Sequence, residues 1–161
     1  MTTTSDERTQ NPMLAAARTY LARGWSVIPI RPSTKAAAVP WKPYQERRAT
    51  DDEIQAWWPP SGGNGIAIVT GSVSGNLAVL DIDEVGLAER LASDPVLLAQ
   101  AIAARTPSGG LHLYIVETQT KSASGPLVPG VADLKVNGGY VLAPPTAGYH
   151  WIHDGVGDEP S

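Results

Sequence analysis

The 161 residues include no cysteine, which excludes disulfides and thiolate metal ligands. No stretch is apolar for long enough to span a bilayer, and none has the layout of a secretory signal. Both absences point to a cytoplasmic protein with no membrane partner. Positive charge is also scarce: 12 Lys and Arg stand against 16 Asp and Glu, a net charge of -4. Phosphate contacts supply much of the affinity of proteins for nucleic acid, so tight autonomous binding to duplex DNA is not expected. Part of the acidity is remote from any candidate site, in Asp51, Asp52, Glu53, Asp158 and Glu159. A local basic groove therefore remains open to Arg31, Lys35, Lys42, Arg47, Arg48, Arg105 and Lys135. No fixed-period repeat is visible, and no Gly-x-x-x-x-Gly-Lys-Ser/Thr phosphate loop.

The chain has the length of one globular domain, and 42% of it is hydrophobic. Its glycines and prolines fall between apolar runs, the pattern of short elements joined by tight turns. Residues 1–10 are polar and unpatterned and read as a disordered leader, with 156–161 as a tail around a domain at 11–155. Asn11-Pro12 starts a first helix that places Leu14, Ala17 and Leu21 on one face and stops at Gly24. Trp25 to Ile30 reads as a strand, and Thr50 with Glu53 forms a capping box for a short second helix. Gly65–Thr70 and Leu77–Ile82, split by a Gly/Ser-rich link, read as a hairpin. Residues 85–104, rich in Ala and Leu, predict one broken helix or two, with Asp94-Pro95 as the restart. Strands follow at Leu111–Glu117, Ala132–Val136, Tyr140–Leu142 and Tyr149–His153. The class is α+β, a mostly antiparallel sheet with helices packed on one side.

Asp81 and Asp83 close the second strand of that pair. A two-residue step sends both carboxylates to one face, roughly 7 Å apart along the chain. Carboxylates suit Mg²⁺ or Mn²⁺, and two such ions about 4 Å apart serve phosphoryl chemistry; a strand-end Asp-x-Asp is equally an ordinary turn. Ser108-Gly109-Gly110 can offer backbone N–H groups to a phosphate just before a strand that carries His112 and Tyr114 on one face, or be simply a turn. Asp133 and Lys135 share a strand face and read either as a third carboxylate with a nearby cation or as a surface ion pair. Lys35 lies in a loop where it either meets a phosphate or faces water. Trp25, Trp41, Trp57, Trp58 and Trp151 offer base-stacking surfaces, although Trp57 and Trp58 look like core. The three-residue step between His150 and His153 sends them to opposite strand faces and argues against a metal pair.

The order of these segments resembles the bifunctional primase-polymerase N-terminal domain of phage, plasmid and prophage replication proteins, in the archaeo-eukaryotic primase superfamily. The resemblance runs from about residue 14 to 152: Gly24-Trp25 with Val27 and Pro29, Lys35, Trp41, Trp57-Trp58, Gly65-Ile66 with Thr70-Gly71, Ser74-Gly75, Leu80 to Asp83, Thr106 to Tyr114, and Asp133 through Pro145. It implies a modified RNA-recognition-like antiparallel sheet with flanking helices plus a small α/β unit. It implies that Asp81, Asp83 and Asp133 bind two divalent metals, Mg²⁺ or Mn²⁺. By the same resemblance Ser108 and His112, with Gly109, Gly110, Lys35 and Lys135 nearby, meet the triphosphate of the incoming nucleotide, and the acids and His112 form the catalytic group. The activity implied is template-directed transfer of ribo- or deoxyribonucleotides to a primer 3′-hydroxyl, with DNA template, primer and nucleoside triphosphates as partners.

Many relatives carry Glu where this chain has Asp83. The helicase half of larger relatives has no counterpart in these residues, so a helicase or helical accessory domain is an expected partner and the chain is either a stand-alone enzyme or an excised domain. Relatives start primers with a following helical segment, which makes extension of an existing primer the expected reaction. Template binding should be weak, salt-sensitive and reinforced by such a partner. Two other readings of the same acids and tryptophans are a metal-dependent nuclease and a non-catalytic module that binds single-stranded nucleic acid.

Overall fold

A computed structural model describes residues 10–99, 101–115, 125–128 and 131–154. Nearly all of the expected leader, the 156–161 tail and the last two residues of the strand expected over 111–117 lie outside them. Helix α1 (Pro12–Ala22) begins where Asn11 accepts a hydrogen bond from the Met13 N–H, with proline at a position where no N–H is needed. Helix α2 (Asp51–Trp57) has both halves of its capping box: Thr50 accepts from the Glu53 N–H, and Glu53 accepts from the Thr50 N–H.

Strands β1 (Ser26–Ile30), β2 (Gly65–Val69) and β8 (Tyr140–Leu142) form a three-stranded sheet in the order β1-β2-β8. A six-stranded sheet has the order β6-β7-β3-β5-β4-β9, built from β3 (Ala78–Ile82), β4 (Ile102–Arg105), β5 (Leu111–Ile115), β6 (Gly125–Val128), β7 (Ala132–Lys135) and β9 (His150–His153). Every pairing among these strands is antiparallel. The class is therefore the α+β expected, with a large sheet and a smaller sheet backed by α1 and α2.

Two expectations from the sequence fail. β2 and β3 are not a hairpin but belong to different sheets, joined only by an isolated bridge between Gly71 and Leu77. The link carries positive φ at Gly71 and Gly75 around a 3₁₀ turn at Ser72–Ser74, and the two strands it joins take other partners, β1 and β8 for β2, β5 and β7 for β3. Helix α3 (Val85–Ala92) and the short α4 (Pro95–Leu98) account for only part of 85–104, because residues 102–105 are β4. Alanine is the strongest helix former, but local propensity yields to tertiary context, and pairing against β5 decides the outcome.

The six-stranded sheet is two-faced. Leu80, Ile82, Leu111, Leu113, Ala103 and Ala132 point into a core closed by Ala88, Leu87 and Leu91 of α3. The alternate residues Val79, Tyr114 and Ala104 point into the main core shared with the three-stranded sheet, α1 and α2. That core is aromatic at its centre: Trp25 stacks on Tyr114 at 5.5 Å, Trp151 lies tilted against Tyr114, and Tyr20 packs edge-on to Trp151. Trp58 is fully buried and Trp57 packs against it, as their sequence context suggested. No helix among the described residues is long and apolar enough to cross a membrane.

Candidate active site

The face of β3 that buries Val79 carries Asp81 two residues later, where the main core ends. Register makes Asp81 the direct cross-strand partner of His112 on β5 and of Asp133 on β7. One transverse row across three strands thus reads Asp133, Asp81, His112, at the spacing of adjacent strands. Asp83 lies just past the end of β3, but its N–H donates to the Val131 carbonyl at 2.8 Å, so the ladder continues far enough to keep it on the same side. Carboxylate oxygens of Asp81, Asp83 and Asp133 lie within 4.8 Å of one another, and no other group of three or more acidic or imidazole side chains converges in this way among the described residues. His150 and His153 on β9 are not part of it.

Like charges at this separation are costly unless something offsets them. Burial works to raise the Asp81 carboxyl, yet the net shift is downward, because the hydrogen bond to His112 and the electrostatic influence of His112, Lys135 and Lys35 favour its charged form. His112 Nε2 lies 3.3 Å from Asp81 Oδ1. Asp83 moves the other way: burial and the charges of Asp81 and Asp133 raise it against Lys35 and His112. Asp81 is thus held ionised beside Asp83, which the neighbouring negative charge makes harder to ionise, and a divalent cation would relieve that repulsion. Hard oxygen donors converging from three backbone positions fit Mg²⁺ or Mn²⁺.

A cavity of about 470 Å³ opens over the row, with Lys35, Trp41, Lys135 and Tyr149 around the acids and His112. A side niche of about 100 Å³ adds Thr106, Pro107 and Ser108 to Lys35, His112 and Tyr149. Gly109 and Gly110 do not offer free N–H groups there. The Gly109 N–H donates to the Thr106 carbonyl and the Gly110 N–H to Thr106 Oγ1, both at 3.1 Å. These glycines shape the turn instead: Gly109 holds φ +87°, and a Cβ on Gly110 would stand 2.6 Å from the Ile82 carbonyl oxygen. Ser108, which faces the niche, is the residue of that triplet placed near the acids.

The structure brings together Asp81, Asp83, Asp133, His112, Lys35 and Lys135, with Ser108 at the margin. Asp133 and Lys135 form no ion pair with each other, so the surface-pair reading of that segment does not hold. Of the proposed basic groove, Arg47 is bound to Glu53 and Arg105 to Glu89, while Arg48 donates to the Gly24 and Val73 carbonyls. Sequence reasoning missed Tyr149. Its ring centroid is 6.0 Å from that of His112, it lines both openings, and burial followed by the charge of Asp81 raises its hydroxyl. A tyrosine at the start of a terminal strand carries no motif, and β9 comes alongside the site only through its pairing with β4.

Three carboxylates and a histidine gathered on one antiparallel sheet define an α+β domain with an acidic, metal-type site. The family model for bifunctional DNA primase/polymerase, N-terminal, matches residues 17–161, and the chain belongs to that family. Membership brings a primase/polymerase activity of the nucleotidyltransferase type in DNA replication, with DNA and nucleotides as its substrates. Such domains are typically metal-dependent. No curated protein matches the chain.

Proposed function

We propose that residues 11–155 form a template-directed primase-polymerase that extends a primer 3′-hydroxyl with nucleoside triphosphates. The observation that carries this reading is the row Asp133-Asp81-His112, with Asp83 folded onto the same side. Asp81, Asp83 and Asp133 would hold the divalent ions. When bound, Mg²⁺ or Mn²⁺ supplies an acidified nucleophile and charge neutralisation in phosphoryl transfer.

The remaining work belongs to the side chains. His112 holds Asp81 in place through Nε2. Lys35, Ser108 and His112 surround the niche beside the acids, a seat of suitable charge and donor content for a triphosphate. Lys135, on the same strand face as Asp133, offsets negative charge as it builds on the transferred phosphoryl group. Tyr149 closes the wall behind His112 and limits water at the reacting atoms. With little covalent chemistry for the protein to do in phosphoryl transfer, positioning and electrostatics account for most of the rate.

Extension of a labelled primer on a DNA template, with Mg²⁺ or Mn²⁺ and each nucleotide set, tests the proposal. Wild type should lengthen the primer with release of pyrophosphate, and Asp81→Asn or Asp133→Asn should reduce extension by about 10²-fold or more. Shortening of the primer without nucleoside triphosphate would make the site a nuclease. Strand binding that survives both substitutions, with no activity in wild type, would make the domain a binding module.

A further inference from the structure

The chain has four asparagines, and two of them precede glycine, at Asn64-Gly65 and Asn137-Gly138. Asparagine is a chemically labile residue, and a following glycine opens it to internal attack: the glycine amide nitrogen reaches the side-chain carbonyl carbon with no Cβ in the way. A fold permits this where the N–H is not held in a ladder, where the segment has room to pivot, and where a donor meets the oxygen that gathers charge. The two pairs differ in each respect. Gly65 opens β2 opposite Ile30 of β1, is buried, and a Cβ on it would stand 2.9 Å from the Thr146 side chain. Asn64 is held through its Nδ2, which donates to the Trp57 carbonyl at 3.2 Å, and its Oδ1 accepts no hydrogen bond among the described residues. Asn137 and Gly138 instead lie exposed in the link from β7 to β8. Gly138 holds φ +80°, a Cβ on it would meet no atom within 4 Å, and its N–H makes no hydrogen bond among the described residues. Asn137 Oδ1 accepts from the Ser72 N–H at 2.9 Å. The carboxamide fits there because residue 71 is glycine: a Cβ on Gly71 would stand 2.3 Å from that oxygen.

We propose that Asn137 is a site of spontaneous deamidation, with the Ser72 N–H as the donor to the oxyanion that forms on Oδ1. The Gly138 nitrogen bonds to Asn137 Cγ, the Cγ–Nδ2 bond breaks, and ammonia leaves with the proton that the Gly138 N–H gives up. Water then opens the cyclic imide at either carbonyl and leaves aspartate or isoaspartate at 137. Water is the sole co-reactant. The Ser72 N–H belongs to the separate 3₁₀ turn Ser72–Ser74, so it stands in place before the reacting link moves, as a backbone donor in an oxyanion hole does. Either product adds a carboxylate to the polar depression of about 450 Å³ that Asn137 shares with Lys42, Glu46 and Ser72. Isoaspartate also lengthens the main chain between Lys135 and Tyr140, both of which line the acid cavity.

Peptide mapping by mass spectrometry tests it, on the full chain incubated in mildly alkaline buffer and sampled over time, with the same chain held unfolded in urea as the reference. Aspartate and isoaspartate are scored separately at positions 64 and 137. In the folded chain Asn137 should convert at least as fast as in urea, because the Ser72 N–H offsets the freedom that folding removes. Asn64 should be slowed about tenfold or more by folding, since it reacts only when the start of β2 opens. Protection of Asn137 to the same degree as Asn64 overturns the proposal, as does conversion at Asn64 ahead of Asn137. The readout is a change of mass at a named residue and needs no turnover, so it stands apart from the polymerase reading.

Discussion

Gly110 shows how little room surrounds the site. Its backbone runs under the end of β3, and an added methyl would press on the Ile82 carbonyl at 2.6 Å and Thr106 Oγ1 at 2.9 Å. Neither is the free end of a flexible chain: one is backbone, and the other is held by the Gly110 N–H itself. Gly110→Ala should destabilise the domain by about 1–3 kcal/mol, measured as a lower urea midpoint, and should shift the turn that carries Ser108. His112 illustrates the complementary point. It is 5% exposed, its Nε2 is engaged with Asp81, and its Nδ1 has no hydrogen-bond partner among the described residues. A side chain that supports a metal-binding carboxylate typically contributes 10–100-fold in metal affinity or activity. His112→Ala should therefore raise the Mn²⁺ concentration needed for half-maximal extension by about that factor. Asp81 and Asp83 could be singled out as a pair of carboxylates two apart at a strand end, whereas Asp133 and His112 were singled out only through the order of segments that resembles the family. Tyr149 was not, since nothing local marks it.

Among the elements, α1 depends on one residue for both its start and its attachment. Asn11 accepts from the Met13 N–H at 2.9 Å, and its Nδ2 donates to the Pro59 carbonyl at 2.9 Å and the Gly62 carbonyl at 3.3 Å. It is buried, so the loop carbonyls depend on it rather than on water. Asn11→Ala should cost about 2–4 kcal/mol, a lost cap plus stranded acceptors. Thr50→Ala, at the exposed cap of α2, should cost only about 1 kcal/mol. Asn11→Asp, which keeps the cap and loses the donors, should fall between them in thermal unfolding. Both caps were plain from Asn-Pro and Thr-x-x-Glu, because capping is local chemistry. β4 was not, because Ile102-Ala103-Ala104-Arg105 has no preference strong enough to outweigh the neighbouring helical composition; it is a strand because β5 and β9 flank it.

The whole molecule depends on tyrosines that cannot ionise where they are. Burial pushes the Tyr20 hydroxyl up to about 12, and it donates to the Pro144 carbonyl; burial also holds the hydroxyl of Tyr114, which stacks on Trp25, well above the ordinary tyrosine range. In the unfolded chain both would ionise near pH 10. Above that pH the unfolded state binds fewer protons than the folded one, so stability is complete below about pH 10 and falls as pH rises beyond it. Tyr20 by itself should account for about 2–3 kcal/mol lost between pH 10 and pH 12. Urea midpoints over pH 8 to 11 should show the decline, and Tyr20→Phe should be less stable at pH 8 but flatter above pH 10.

The sequence by itself determined the α+β class, the helix starts, most of the strands and the placing of Asp81 and Asp83 at one strand end, because capping, alternation and a two-residue step are each written within a few residues. Tertiary structure alone decided that β2 and β3 belong to different sheets, that β4 is a strand, and that Asp133 stands beside Asp81 and His112. Those facts rest on register between strands far apart in the chain, where a shift of one residue would turn each side chain to the opposite face, and no local pattern encodes which distant strand will be the neighbour.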